Sequence, residues 1–117
     1  MKTNRVIDAL GALAHEHRLA TYRLLVQRGP AGLPAGAIGE RVGLVPSSLT
    51  FHLQNLQRAG LITQRRESRQ LFYAADFSAM SDLVGYLTEN CCADNGAECP
   101  PICAPAAKPA NRAAKVA

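Results

Sequence analysis

The chain has 117 residues, about half of them apolar and none of them tryptophan, which allows a single domain with a modest core of Leu, Val and Ala. No long apolar stretch follows the opening KTNRVID, so neither a secretory signal nor a membrane span is expected, and a cytoplasmic setting with reduced thiols follows. The net charge of +4 is concentrated between residues 41 and 70, where five arginines (Arg41, Arg58, Arg65, Arg66, Arg69) face one acid, Glu67, as on a phosphate-binding surface, although charge alone also fits an ordinary solvated face.

Val6, Leu10 and Leu13, with Ile7 beside them, recur at helical spacing over residues 6–14. His-Glu-His-Arg at 15–18 interrupts the pattern, and a second helix follows with Leu19, Tyr22, Leu25 and Val26 on one side. Gly and Pro recur over residues 28–34, which predicts a loop. Residues 35–42 read as a short helix with Ile38 and Val42 inward, broken by Gly43. Residues 44–59 read as a longer one, with Pro46 in its first turn, Leu49, Leu53 and Leu56 as the buried stripe, and Gly60 as its stop. Two strand-like runs at 61–65 and 70–74, joined by Arg-Glu-Ser-Arg at 66–69, predict a β-hairpin with an arginine-rich tip. A last helix, capped by Asp76 or Ser78, is expected to run to about residue 90 with Phe77, Met80, Leu83, Val84 and Leu87 apolar. So few elements leave little to cover that stripe, which a second copy of the chain can cover.

A short helix, a tight turn and an amphipathic helix with small polar residues outward make a helix-turn-helix. Ser47, Ser48 and Thr50 can donate to phosphates or base edges, and Gln54 and Asn55 carry amides that pair with adenine. Phe51 either meets a thymine methyl or tucks under the hairpin. Arg58 lies on the same outward side, and the hairpin extends the interface as a wing whose Arg65, Arg66 and Arg69 reach phosphates or the minor groove. The bland alternative is a helix pair and hairpin that merely fold; order, spacing and charge together favour DNA binding.

Three stretches, LAHEHRLATYRLL, VGLVPSSLTFHLQNLQRAGLI and RRESRQLFYA, resemble the ArsR/SmtB family of metalloregulatory repressors over roughly residues 6–90. The shared positions are Ser47, Ser48, His52, Leu53, Leu56, 59–62, Arg65, Arg66, Glu67, Arg69 and Tyr73. The resemblance implies a mainly α winged helix-turn-helix with a small β-hairpin (α+β), a homodimer joined through its first and last helices, and repression of operator DNA relieved by a metal or metalloid. It also places His52 among the recognition-helix residues, with a role inside the fold. The family's usual Cys-Val-Cys pair is missing from LPAGAIGERV, so the usual arsenic site there cannot form. LAHEHR at 13–18 stands where Leu-Ala-Asp-Pro-x-Arg is commoner, which leaves a possible imidazole pair at His15 and His17; two residues apart on a helix they face apart, which favours helix-start packing over metal.

All four cysteines, Cys91, Cys92, Cys99 and Cys103, fall in the last quarter of the chain. The expected division is a DNA-binding and dimerisation domain at 1–90, a thiol-rich sensing segment at 91–103 and a disordered Ala/Pro/Lys tail at 104–117. Soft thiolates suit trivalent arsenic or antimony as inducer, with Cys91, Cys92 and Cys99 as the chosen triplet and Cys103 in reserve beyond Pro100 and Pro101. No organic cofactor is expected. Three alternatives stay open: zinc or cadmium on the sulfurs, a thiol redox switch, and an unused tail. An arsenate reductase would need an anion-cradling Gly-rich loop, a Cys-x-x-Cys pair or a nearby base, and the sequence offers none, so an enzyme is not expected.

Overall fold

The computed structural model describes residues 1–93. They fall into two compact units, Met1–Asp82 and a second beginning at Leu83. In chain order the elements are α1 (Thr3–Leu13), α2 (Glu16–Arg28), β1 (Leu33–Pro34), α3 (Ala35–Val42), α4 (Pro46–Arg58), β2 (Ile62–Glu67), β3 (Gln70–Ala75) and α5 (Phe77–Leu87). Five helices and a small antiparallel sheet are the architecture expected of a winged helix-turn-helix.

The core of the first unit is aliphatic. Leu25 of α2, Ile38 of α3, Leu53 and Leu56 of α4, and Leu61 just before β2 are fully buried. Each such side chain contributes about 1.5–3 kcal/mol of burial. The stripe expected on α4 is therefore the one that packs, with Leu49 also buried.

On α1 the buried side differs from the expected one. Val6, Ala9 and Ala12 face inward, whereas Leu10 and Ile7 are 41% and 62% exposed. Val6, Ala9 and Ala12 recur at helical spacing as Ile7 and Leu10 do, so periodicity alone permits either side and the packed neighbours select one. On α2 Leu19 is likewise exposed, and Thr21 takes the buried place with Tyr22 and Leu25, its hydroxyl donating to the His17 carbonyl at 2.8 Å.

The sheet has order β1-β3-β2, all antiparallel. Residues 33–34, expected within a loop, form β1: Leu33 pairs with Tyr73 and Pro34 with Phe72. A proline is tolerated because the strand lies at the sheet edge. The hairpin is tighter than expected. Arg66 and Glu67 belong to β2, Glu67 pairs with Gln70, and only Ser68 and Arg69 make the turn, with Ser68 at φ +58°.

Asp76 caps α5, its Oδ1 accepting the Ala79 N–H at 3.1 Å. The helix ends at Leu87 rather than near residue 90, and turns follow in which Asn90 and Cys92 adopt φ near +60°. Two such residues within three positions are incompatible with continued right-handed helix. Val84 and Leu87 are 46% and 58% exposed.

Candidate nucleic-acid interface

α3 and α4 are joined by Gly43, Leu44 and Val45. Gly43 sits at φ +76°, ψ +34°, the left-handed conformation that a residue without Cβ adopts at least cost. The N–H groups of Gly43 and Leu44 both reach the Gly39 carbonyl, at 2.8 and 3.0 Å, which closes α3 and turns the chain into α4. Pro46 opens α4, and no side chain caps that end. The first N–H groups of α4 therefore have no intrahelical acceptor and are available to a phosphate.

The outward face of α4 is exposed as expected at Ser47, Ser48, Thr50, Phe51, Gln54 and Arg58. Thr50 turns its hydroxyl proton back to the Pro46 carbonyl at 2.9 Å. Asn55 is half-buried, its amide donating to the Phe51 carbonyl at 2.9 Å while its oxygen accepts from Arg58 at 3.4 Å. Reading adenine would require Asn55 to leave those partners, whereas Gln54 projects from the exposed side. Phe51 resolves between its two expected placements: it is 57% exposed, not tucked under the hairpin. The Arg18 guanidinium lies 5.8 Å from its ring centroid.

His52 is buried, at 7% exposure, so it cannot reach a base edge from this position. Its Nδ1 accepts from Arg18 Nε at 3.3 Å, linking α4 to α2. Burial, followed by the positive charge of neighbouring His15, Arg18 and His17, pushes its pKa below the ordinary value of 6.5. Arg18 is a residue that outward-face reasoning on α4 passes over, because it comes from α2. Its sequence signal is the Arg closing His-Glu-His-Arg.

The wing is fastened to α4 by a polar relay. Gln57 donates to Gln64 at 3.4 Å, and Gln64 donates to the Tyr73 hydroxyl at 3.1 Å. Its three arginines are not equivalent. Arg65 donates to the carbonyls of Ala31 and Pro30 at 2.7 and 3.5 Å, pairs with Glu67 at 2.8 Å, and lies over the Phe72 ring. Arg66 and Arg69 are exposed on β2 and at the turn.

Residues 13–65 match a helix-turn-helix domain family, the stretch from the end of α1 into β2. The solved structure of HlyU from Vibrio cholerae is 32% identical and superposes with a TM-score of 0.59, covering 74% of this chain and 97% of HlyU. The chain belongs to the ArsR-like helix-turn-helix transcriptional regulators. A homodimeric winged helix-turn-helix DNA-binding domain from Mycobacterium bovis, a possible ArsR-family regulator, is 28% identical with a TM-score of 0.59 over 74% of this chain and 81% of that one. The nodulation protein NolR of Rhizobium meliloti is 31% identical over 80 residues, which are 68% of this chain and 63% of NolR. α4 thus stands where a winged helix-turn-helix carries its recognition helix, and the β2–β3 hairpin where it carries its wing.

In the second unit Cys91 and Cys92 follow α5 in successive turns, their sulfurs 3.6 Å apart. Cys91 is disulfide-bonded and Cys92 carries a free thiol. Cys99 and Cys103 lie outside the described residues, as does the 104–117 tail. Among the described residues no group of three or more His, Cys, Asp or Glu side chains is placed to hold a metal ion, and no helix is long and apolar enough to cross a membrane.

Proposed function

We propose that this regulator represses transcription by binding operator DNA as a homodimer and releases it when trivalent arsenic, or antimony, binds Cys91, Cys92 and Cys99. The observation that carries the reading is the collection of every thiol in residues 91–103, directly after the last helix. The 3.6 Å between the sulfurs of Cys91 and Cys92 supports it, since one soft ion with metal–sulfur bonds of about 2.3 Å can span two sulfurs at that spacing once Cys91 is reduced. Exposed Ile7 and Leu10 on α1, and exposed Val84 and Leu87 on α5, support pairing through the first and last helices. Two recognition helices would then enter successive major grooves roughly 34 Å apart, with Arg58, Arg66 and Arg69 adding salt-dependent phosphate contacts. Metalloid bound at the helix end shifts the angle between the two DNA-reading units. Coupling of about 1–3 kcal/mol per site is enough for release when both sites fill.

The test is operator binding by reduced protein with and without arsenite, for the parent and a Cys91→Ser, Cys92→Ser double variant. The parent is expected to release DNA and the double variant to hold it. Equal release at the same arsenite concentration removes the thiol site from the mechanism.

A second reading is favoured by one specific observation, the disulfide at Cys91 beside the free thiol of Cys92. In that reading oxidation itself alters DNA binding. Titration with a thiol reductant in the absence of arsenite separates the two: a redox switch responds, a metalloid sensor does not.

A further inference from the structure

The chain has three histidines, and their rings meet. The centroids of His15 and His52 are 4.7 Å apart, those of His15 and His17 5.6 Å, and those of His17 and His52 5.7 Å. His15 caps α2 by accepting the His17 backbone N–H on Nδ1 at 3.2 Å. His52, on the buried side of α4, accepts Arg18 Nε–H on Nδ1 at 3.3 Å. An imidazole nitrogen accepts only while it carries no proton, so both bonds require neutral rings protonated at Nε2. Phe51, exposed on the recognition face, is 5.7 Å from the His52 ring and 5.8 Å from the Arg18 guanidinium.

We propose that His15, His17, His52 and Arg18 form a proton-sensitive latch that seats the recognition helix at neutral pH and loosens it under mildly acidic conditions. The proposal uses the DNA-reading role of α4 and is independent of the cysteine site.

A proton on His52 Nδ1 turns the acceptor of Arg18 into a second cationic donor, so the α2–α4 bond breaks and repulsion replaces it. The surrounding charges only partly oppose this. Glu16 on α2 is exposed. Asp8 on α1 lines a concavity with Arg18, Asn55 and Arg58, where two guanidinium groups outnumber one carboxylate. Because the native pKa of His52 is depressed, its contribution is complete above 6.5 and is lost as pH falls from there through the native value.

The experiment follows thermal unfolding, and affinity for a duplex selected by the protein from a randomised pool at neutral pH, from about pH 8 to about pH 5.5. Parent and His52→Asn are compared as full chains; the Asn oxygen takes the place of Nδ1 as acceptor and does not titrate. The parent is expected to lose melting temperature as pH falls, and to lose about tenfold in affinity for each pKa unit that separates the DNA-bound from the free protein. His52→Asn is expected to flatten most of both profiles. His15→Asn retains a good cap and removes one of the neighbours that lower the His52 pKa, so it flattens them in part, which also serves if His52→Asn does not fold. Parallel pH profiles in parent and variants overturn the latch, as does an NMR titration of His52 at or above 6.5. Failure to select any duplex counts against the role of α4, and the melting and NMR profiles still decide the latch.

Discussion

Arg65 donates to the backbone carbonyl of Ala31 at 2.7 Å, so a wing arginine with the sequence credentials of a phosphate ligand is spent on fastening the wing to the loop before β1. Arg66 beside it is exposed, and alternation along β2 sends it to the other face of the sheet.

These neighbours are therefore expected to separate in two measurements. Arg65→Ala should lower stability by about 0.5–1.5 kcal/mol, near the lower figure because its side chain is 41% exposed. Arg66→Ala should leave unfolding unchanged, weaken binding similarly on all duplexes and reduce the salt slope by about one. Urea denaturation and salt titrations of DNA binding check the pair.

Gly32 carries a different constraint. It holds φ +73°, and a Cβ there would stand 2.5 Å from the Tyr73 carbonyl oxygen, in the register that pairs β1 with β3. Gly32→Ala is expected to cost about 1–3 kcal/mol, because both the backbone conformation and the close approach exclude a side chain. Urea denaturation would show the loss; an unchanged midpoint would mean that β1 pairing contributes little.

Tyr22 is 7% exposed, and its buried hydroxyl has no hydrogen-bond partner among the described residues. Tyr22→Phe should leave stability unchanged or raise it by about 1 kcal/mol, since it removes an uncompensated polar group. Burial, with the negative charge of Asp76 second, holds the phenol pKa above 10.0. A raised pKa means that the native state keeps its proton longer. The tyrosine's contribution is complete below 10.0 and declines as pH rises through the native value. Alkaline unfolding should therefore begin at higher pH in the phenylalanine variant than in the parent.

Phe51 is expected to matter for recognition and not for folding. With 57% exposure and one guanidinium near its ring, its removal by Phe51→Ala should change stability by no more than about 0.5 kcal/mol. Discrimination at one base pair should fall by about 1–3 kcal/mol if the ring meets a thymine methyl. Competition binding with single-base substitutions in a selected duplex reads this directly.

Several of these features were legible before any coordinates. Leu49, Leu53 and Leu56 recur at helical spacing, Pro46 suits a first turn, and Gly43 marks a break; each signal depends on a few neighbouring residues, and each is realised. The outward face of α4 was legible for the same reason, since a buried stripe fixes its opposite side. The chemistry of the thiol segment follows from residue type, but its arrangement does not.

By itself, the sequence determined the order of helices and hairpin and the outward face of α4, because helical periodicity, proline and glycine act over a few residues. Tertiary structure decided the rest. It chose Ala9 and Ala12 over Leu10 as the inward side of α1, because both sides carry residues at helical spacing and only packed neighbours select between them. It made a strand of Leu33 and Pro34, which are too short to show alternation and acquire partners only when Phe72 and Tyr73 arrive. It gave Arg65 carbonyl partners in the loop before β1, and it brought His52 against His15 and His17 from more than thirty residues away. Contacts between such distant positions leave no local period, so only the folded chain can reveal them.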